Sequence, residues 1–200
     1  MHLHIPKSCK WVIGIDEVGR GPIAGPVTIG FCVVRASFFS KIKREFSGIN
    51  DSKKLSARKR EYFYGLLMEH KNVIAHTVSI SAQKIEKDGI AYAISYAIRK
   101  GLENAIKINP QKCFVLLDGT LRAPDSYIHQ KTVIRGDSLV PIISAASIIA
   151  KVTRDAYMTR QHKKYLHFGF NKNKGYGTKN HYNAIRRYGL TPLHRKSWIR

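Results

Sequence analysis

An α/β fold, with a central mixed sheet flanked by helices and a basic helical C-terminal portion, is what this 200-residue sequence predicts. Three observations carry the expectation. Short apolar, β-branched runs alternate with segments of helical period. Two of those runs end in carboxylates. The positive charge is also uneven: residues 151–200 hold 13 Lys and Arg against one acid, Asp155, so +12 of the formal +22 lies there. The length suits one domain, residues 1–200, with a core of its own.

Trp11-Val12-Ile13-Gly14-Ile15 reads as a buried strand running straight into Asp16-Glu17. A Gly/Pro-rich turn, Gly19 to Pro26, separates it from a second strand, Val27 to Arg35. So short a loop makes the two antiparallel neighbours. Asn72 to Ile80 is a third strand, and Ser56 before Ala57 to His70 has the form of an N-capped helix. From Ile90 to Ile106, apolar and small residues recur at helical spacing, which predicts an amphipathic helix lying close on the sheet and ended by Asn109-Pro110. Cys113 to Leu117 is a fully buried strand that meets Asp118-Gly119, and Lys131 to Arg135 is a short one. A long helix from Ile143 to about Lys163, and another from Lys179 to Tyr188 closed by Gly189, complete the chain.

Composition narrows the function. At 44% apolar residues the chain is not disordered, despite its charge. Three cysteines, far apart and never in a C-x-x-C pair, exclude a disulfide framework and a thiolate zinc site. No signal-peptide pattern is visible, and the longest apolar stretch, Leu139 to Ala150, is too short to span a bilayer. A cytoplasmic protein with no membrane partner is expected. A surplus of +22 calls for a polyanion, and the aromatics interleaved with the C-terminal charge favour nucleic acid.

In a chain with only 13 acids, their placement is informative. Asp16 and Glu17 follow one apolar strand and Asp118 follows another. Carboxylates buried together are costly unless a cation neutralises them, and oxygen-only ligands suit hard divalent metals, Mg²⁺ or Mn²⁺. A loop residue or helix cap is the ordinary alternative for each acid taken singly. Asp137 either starts a turn or supplies a fourth carboxylate. Asp155 fits an ion pair with Lys151 on the same helix.

Other segments stay open. Gly19-Arg20-Gly21-Pro22 is a plain turn or a loop whose exposed backbone reads a sugar hydroxyl. Lys53 and Lys54 are a solvated loop or a phosphate subsite before a helix. Ser144-Ala145-Ala146-Ser147 is best read as close packing. Tyr176, between Gly175 and Gly177, either stacks on a base or sugar or fills a surface gap. His181 and His194 are within the reach of a phosphate-contact reading, but with nine histidines in the chain each is more simply incidental. A non-catalytic basic binding module explains the charge and gives no reason for acids at strand ends.

Taken together, Ile15-Asp16-Glu17-Val18-Gly19-Arg20-Gly21-Pro22, Asp51-Ser52-Lys53-Lys54-Leu55, Leu117-Asp118-Gly119, Arg135-Gly136-Asp137, the run from Ser144 to Asp155, Gly175-Tyr176-Gly177-Thr178 and His194-Arg195-Lys196-Ser197 resemble bacterial ribonuclease HII. The blocks follow the family's order from about Trp11 to Trp198. The resemblance implies a ribonuclease H-like fold and hydrolysis of the RNA strand of RNA–DNA hybrids. It also implies incision on the 5′ side of single ribonucleotides embedded in duplex DNA, by two-metal-ion hydrolysis leaving 3′-OH and 5′-phosphate ends. Carried over by motif, Asp16, Glu17, Asp118 and Asp137 are the catalytic and metal-binding acids. Gly19, Arg20, Gly21, Lys53, Lys54, Tyr176 and Thr178 are the substrate contacts. Asp155 is a feature of the family's helix but not a metal ligand there. Trp198 stands where the family usually has Phe. No clamp-binding tail is visible, a monomer is expected, and an extra N-terminal substrate domain of the ribonuclease HIII kind has no room before Asp16.

Overall fold

The computed structural model describes residues 3–49, 55–105 and 109–199. In chain order its elements are β1 (Trp11–Val18), β2 (Val27–Arg35), α1 (Ala36–Phe39), α2 (Ile42–Glu45), α3 (Ala57–Glu69), β3 (Val73–Ile80), α4 (Ala82–Asp88), α5 (Ile90–Ala105), β4 (Cys113–Asp118), β5 (Gln130–Val133), α6 (Gly136–Leu139), α7 (Pro141–His162), α8 (Phe170–Asn173) and α9 (Lys179–Tyr188). The strands form one sheet in the order β3-β2-β1-β4-β5. β1 and β2, and β2 and β3, are antiparallel, whereas β4 runs parallel to β1 and β5 parallel to β4. The sheet is therefore mixed, as the pattern of short loops and long crossovers requires.

Two helices sandwich the sheet, and side-chain alternation along the strands decides which residues meet which helix. Val12 and Leu116 point to the α7 side, where Ile142, Ala145, Ala146 and Ile149 are buried. Ile13, Ile15, Val115 and Leu117 point to the α5 side, against Ile94, Ala97 and Ile98. Each fully buried aliphatic side chain contributes about 1.5–3 kcal/mol.

α7 lies unusually close to the strands. A Cβ on Gly14 would come within 2.3 Å of the Ile142 carbonyl, and one on Gly30 within 2.1 Å of the Ala146 carbonyl. Glycines on the sheet and the small face Ser144-Ala145-Ala146-Ser147 on the helix thus let backbone meet backbone. The close-packing reading of that segment holds, and its consequence is to bring Ser147 over the end of β1.

The structure departs from the sequence expectation at several places. β1 continues through Asp16 and Glu17 to Val18, because β2 offers Gly30, Ile29 and Thr28 as antiparallel partners. The acid pair is thus part of the strand, not of the loop after it. β5 stops at Val133 rather than Arg135, since Arg135 adopts a left-handed conformation (φ 55°) that turns the chain into α6. α4 was not anticipated: its seven residues are too few to show a period, although the Ser81 hydroxyl caps it by accepting from the Lys84 N–H at 3.3 Å. A third apolar cluster, Ala24, Met158, Phe168, Phe170 and Ala184, ties the 19–26 loop to the basic C-terminal portion.

Candidate active site

The parallel register of β1 and β4 pairs Ile15 with Leu117. The next residue on each strand is an acid, so Asp16 and Asp118 stand side by side at the same end of the sheet. Alternation turns Asp16 toward α7. There it is 4% exposed and accepts from the Ser147 hydroxyl. Its Oδ1 also accepts the Glu17 N–H at 2.7 Å. Asp137, 1% exposed on α6, donates its backbone N–H to Asp118 Oδ1 at 3.3 Å. Ser144 of α7 donates its hydroxyl to the Asp137 carbonyl, which fixes α6 on the start of the long helix. Acids from three distant stretches of the chain, Asp16-Glu17, Asp118 and Asp137, are thereby gathered at one sheet end.

Asp16 and Glu17 show the electrostatics of buried, neighbouring carboxylates. Burial pushes the Asp16 carboxyl up to about 8; the Ser147 hydroxyl opposes the rise, and Asp118 and Glu17 add to it. Glu17 is likewise raised, first by burial and then by Asp118, while Arg20 at 3.5 Å pulls it down. Such groups favour either a proton or a cation beside them. The donors gathered here are carboxylate oxygens, the set that hard divalent ions take. Among the described residues no three acidic, histidine or cysteine side chains already stand in one coordination sphere. Mg²⁺ does not need that, because it keeps several waters and uses one or two carboxylates.

A cavity of about 460 Å³ opens beside the acids. Asp16, Glu17 and Ser147 line it together with Gly19, Arg20, Gly21, Tyr176 and the cations Arg60 and Lys151. Asp118, beside Asp16, and Asp137, whose N–H meets Asp118, do not line it. Tyr176 is 46% exposed, so its ring is available at the cavity. Thr178 lies elsewhere: exposed, it caps α9 by accepting the His181 N–H at 3.3 Å. Lys53 and Lys54 fall outside the described residues. Asp155 pairs with Lys151 at 3.0 Å, the intrahelical ion pair that their spacing predicts.

Two arginines hold the loop that faces the acids, and sequence reading assigned them no role. Arg195 is fully buried. Its Nη2 donates to the Gly19 carbonyl at 2.7 Å and to Gly25 at 2.9 Å, its Nη1 to Arg20 at 3.0 Å, and its Nε to Gly25 at 3.1 Å. Arg154 of α7, also fully buried, donates to the carbonyls of Pro26 at 2.8 Å, Lys174 at 3.0 Å and Ala24 at 3.2 Å. Burial lowers both guanidinium values, Arg195 to about 10. Each charge is met by carbonyl dipoles, and a charge-assisted bond of this kind is worth about 1.5–3 kcal/mol. Arg154 lies between Thr153 and Asp155 in a polar stretch of α7, which hides its burial. Nothing local marks Arg195.

The chain is similar to known proteins in sequence and in fold. The Ribonuclease HII family model matches residues 13–200. The chain is 43% identical over 189 residues to a ribonuclease HII of Desulfitobacterium hafniense, covering 94% of this chain and 68% of that one. It is 40% identical to a ribonuclease HII of Coxiella burnetii, covering 94% and 87%. Among solved structures, ribonuclease H2 from Pyrococcus horikoshii superposes with a TM-score of 0.74 at 25% identity, covering 94% of this chain and 93% of that one. The α/β sheet described above is thus a ribonuclease H-like fold. By sequence and by fold the chain belongs to the ribonuclease HII family and is a metal-dependent ribonuclease H, an endoribonuclease of RNA–DNA hybrids that hydrolyses phosphodiester bonds.

Proposed function

We propose that this protein incises duplex DNA on the 5′ side of a single embedded ribonucleotide, as well as cutting the RNA strand of hybrids, with Asp16, Glu17, Asp118 and Asp137 holding two divalent cations. The observation that carries this reading is the juxtaposition of Asp16 and Asp118 by parallel strand register, with the Asp137 N–H on Asp118, beside a cavity lined by the Gly19–Gly21 backbone and Tyr176. When bound, Mg²⁺ or Mn²⁺ supplies the activation of water and the charge stabilisation that hydrolysis to 3′-OH and 5′-phosphate ends requires. Asp16 and Asp118 are the primary ligands in this reading. Glu17 and Asp137 complete the set.

The protein's own groups do the positioning. A Cβ built on Gly21 meets nothing within 4 Å, so the chain's packing does not demand glycine there. Close approach of a ribose to the backbone does, and the exposed amides and carbonyls of Gly19-Arg20-Gly21 can then meet a 2′-OH. Tyr176 offers its ring to the sugar at the junction with DNA. Arg60 and Lys151, at the cavity, suit phosphates on either side, and the basic face of residues 151–200 suits the duplex. Lys53 and Lys54 are further phosphate contacts in the same reading, and Thr178 fixes the start of α9 behind Tyr176.

The test is a duplex carrying one ribonucleotide, incubated with Mg²⁺ or with EDTA, with the cut mapped at nucleotide resolution. A single Mg²⁺-dependent incision 5′ of the ribonucleotide is expected. Cleavage of continuous hybrids with none at the single ribonucleotide would refute the junction reading.

A further inference from the structure

Behind Tyr176, the two histidines that seemed incidental are buried against each other. His181 of α9 is fully buried and His194 is 3% exposed, and their Nε2 atoms are 3.0 Å apart. Phe168 lies 5.0 Å from the His194 ring and Phe170 lies 5.4 Å from the His181 ring, centroid to centroid. The outer nitrogens are also engaged. His194 Nδ1 is 2.8 Å from the Thr191 backbone nitrogen, and His181 Nδ1 is 2.9 Å from the Tyr176 carbonyl oxygen.

These partners assign the tautomers. A backbone N–H only donates, so His194 Nδ1 accepts and, in the neutral ring, Nε2 carries the proton. A carbonyl only accepts, so His181 Nδ1 carries its proton and Nε2 has the free lone pair. The His194 Nε2–H therefore donates to His181 Nε2. With both rings neutral every nitrogen is satisfied, and the bonds run from Thr191 through His194 and His181 to the Tyr176 carbonyl. A further proton would set two N–H groups face to face.

We propose that His181 and His194 are positioning residues for the reaction: a neutral hydrogen-bonded pair that fixes the backbone of Tyr176 and so aims its ring at the cavity. The inference rests on the recognition role given to Tyr176 above. The surroundings favour neutrality. Burial lowers His194 to about 4, with His181 adding to the fall, and burial also lowers His181. Glu86 and Lys196 line a cavity with His194 on the α4 side, and Arg195 and Arg154 sit behind the 19–26 loop. Tyr188 of α9 reaches the pair through Phe168 and stacks on His167. Cations outnumber the one acid in this set, which opposes protonation. Tyr176 and the 191–195 turn are also joined through Ala24, whose N–H donates to the Gly175 carbonyl at 3.1 Å and which bridges to His194.

Two measurements test the proposal. Nitrogen-15 histidine labelling of the intact chain reads ring tautomers: His181 protonated on Nδ1 and His194 on Nε2, both neutral at about pH 6, is expected. A charged ring at that pH, or the same tautomer on both, overturns the relay. The second measurement compares kcat and KM on a duplex with one ribonucleotide. His181→Leu is expected to lower kcat/KM by on the order of 10- to 100-fold. His181→Asn, whose amide N–H can occupy the Nδ1–H position, is expected to restore most of the loss, and His181→Leu is expected to add nothing in a Tyr176→Ala background. If Tyr176→Ala loses discrimination while His181→Leu cleaves like wild type, the positioning role is wrong and recognition by Tyr176 survives. A silent Tyr176→Ala overturns the recognition reading and the positioning role together. Where His181→Leu does not fold, the tautomers and His181→Asn decide, and an Asn variant no better than a misfolded one counts against the proposal.

Discussion

The acids and the loop facing them are held by different physics. Asp16 and Asp118 are placed by sheet register, one residue beyond the parallel pair Ile15 and Leu117. The Gly19–Pro26 loop has almost no regular structure and is held by side chains from far along the chain, Arg154 and Arg195, donating into its carbonyls. The end with the acids gathers carboxylates, and burial, with Asp118 and Glu17 adding to it, raises Asp16 to about 8. The loop end is held by two buried cations whose guanidinium groups donate to backbone carbonyls. At one end carboxylates are buried beside one another, and at the other buried guanidinium groups are met by backbone carbonyls.

This contrast can be broken from either side, and the largest effect belongs to the acids. Asp118→Asn removes one carboxylate charge and leaves the acceptor for Asp137 in place, so the fold should survive. Cleavage is expected to fall by roughly 10³-fold or more, several kcal/mol of transition-state stabilisation, while duplex binding persists in a gel-shift assay. Arg195→Met probes the other side. It strips the carbonyls of Gly19, Arg20 and Gly25 of their buried donor, and urea unfolding should report a loss of about 3 kcal/mol or more.

A smaller, pH-dependent effect follows from the histidine pair. The folded His194 value lies near 4, below its ordinary 6.5, so the unfolded chain binds the proton more readily. The contribution of His194 is then complete above about pH 6.5 and is lost as pH falls toward 4. Relative to His194→Asn, wild type should lose up to about 3 kcal/mol across that window in denaturation measured at each pH. Thr178→Ala, which removes only the cap of α9, is expected to cost about 1 kcal/mol and to leave the acids untouched.

The same contrast explains what was legible in the sequence. Register and alternation are local properties, so the strands, their order of burial and the acids at their ends could be read from short windows. The strand-end position of Asp16 and Asp118 needed only apolar runs followed by carboxylates. Asp137 was reached through the family resemblance, because its contact with Asp118 depends on a four-residue helix that no periodicity reveals. The loop clamp was not legible: Arg195 meets Gly19 across 176 residues, and a buried arginine paired with carbonyls has no acidic partner to betray it. His181 and His194 are 13 residues apart on different elements, and only the folded chain shows that they share a bond. Thr178 came with the Gly175-Tyr176-Gly177-Thr178 block of the resemblance, and its role as helix cap shows only in the folded chain.

The claim on which the rest depends is that strand register builds a divalent-metal site from Asp16 and Asp118. Titrating Mn²⁺ into the wild-type protein and into Asp16→Asn, with free Mn²⁺ followed by electron paramagnetic resonance, tests it without reference to substrate. Saturable binding by wild type that is lost in Asp16→Asn, with a folded variant by circular dichroism, is the predicted result. Equal binding by the two proteins would contradict it.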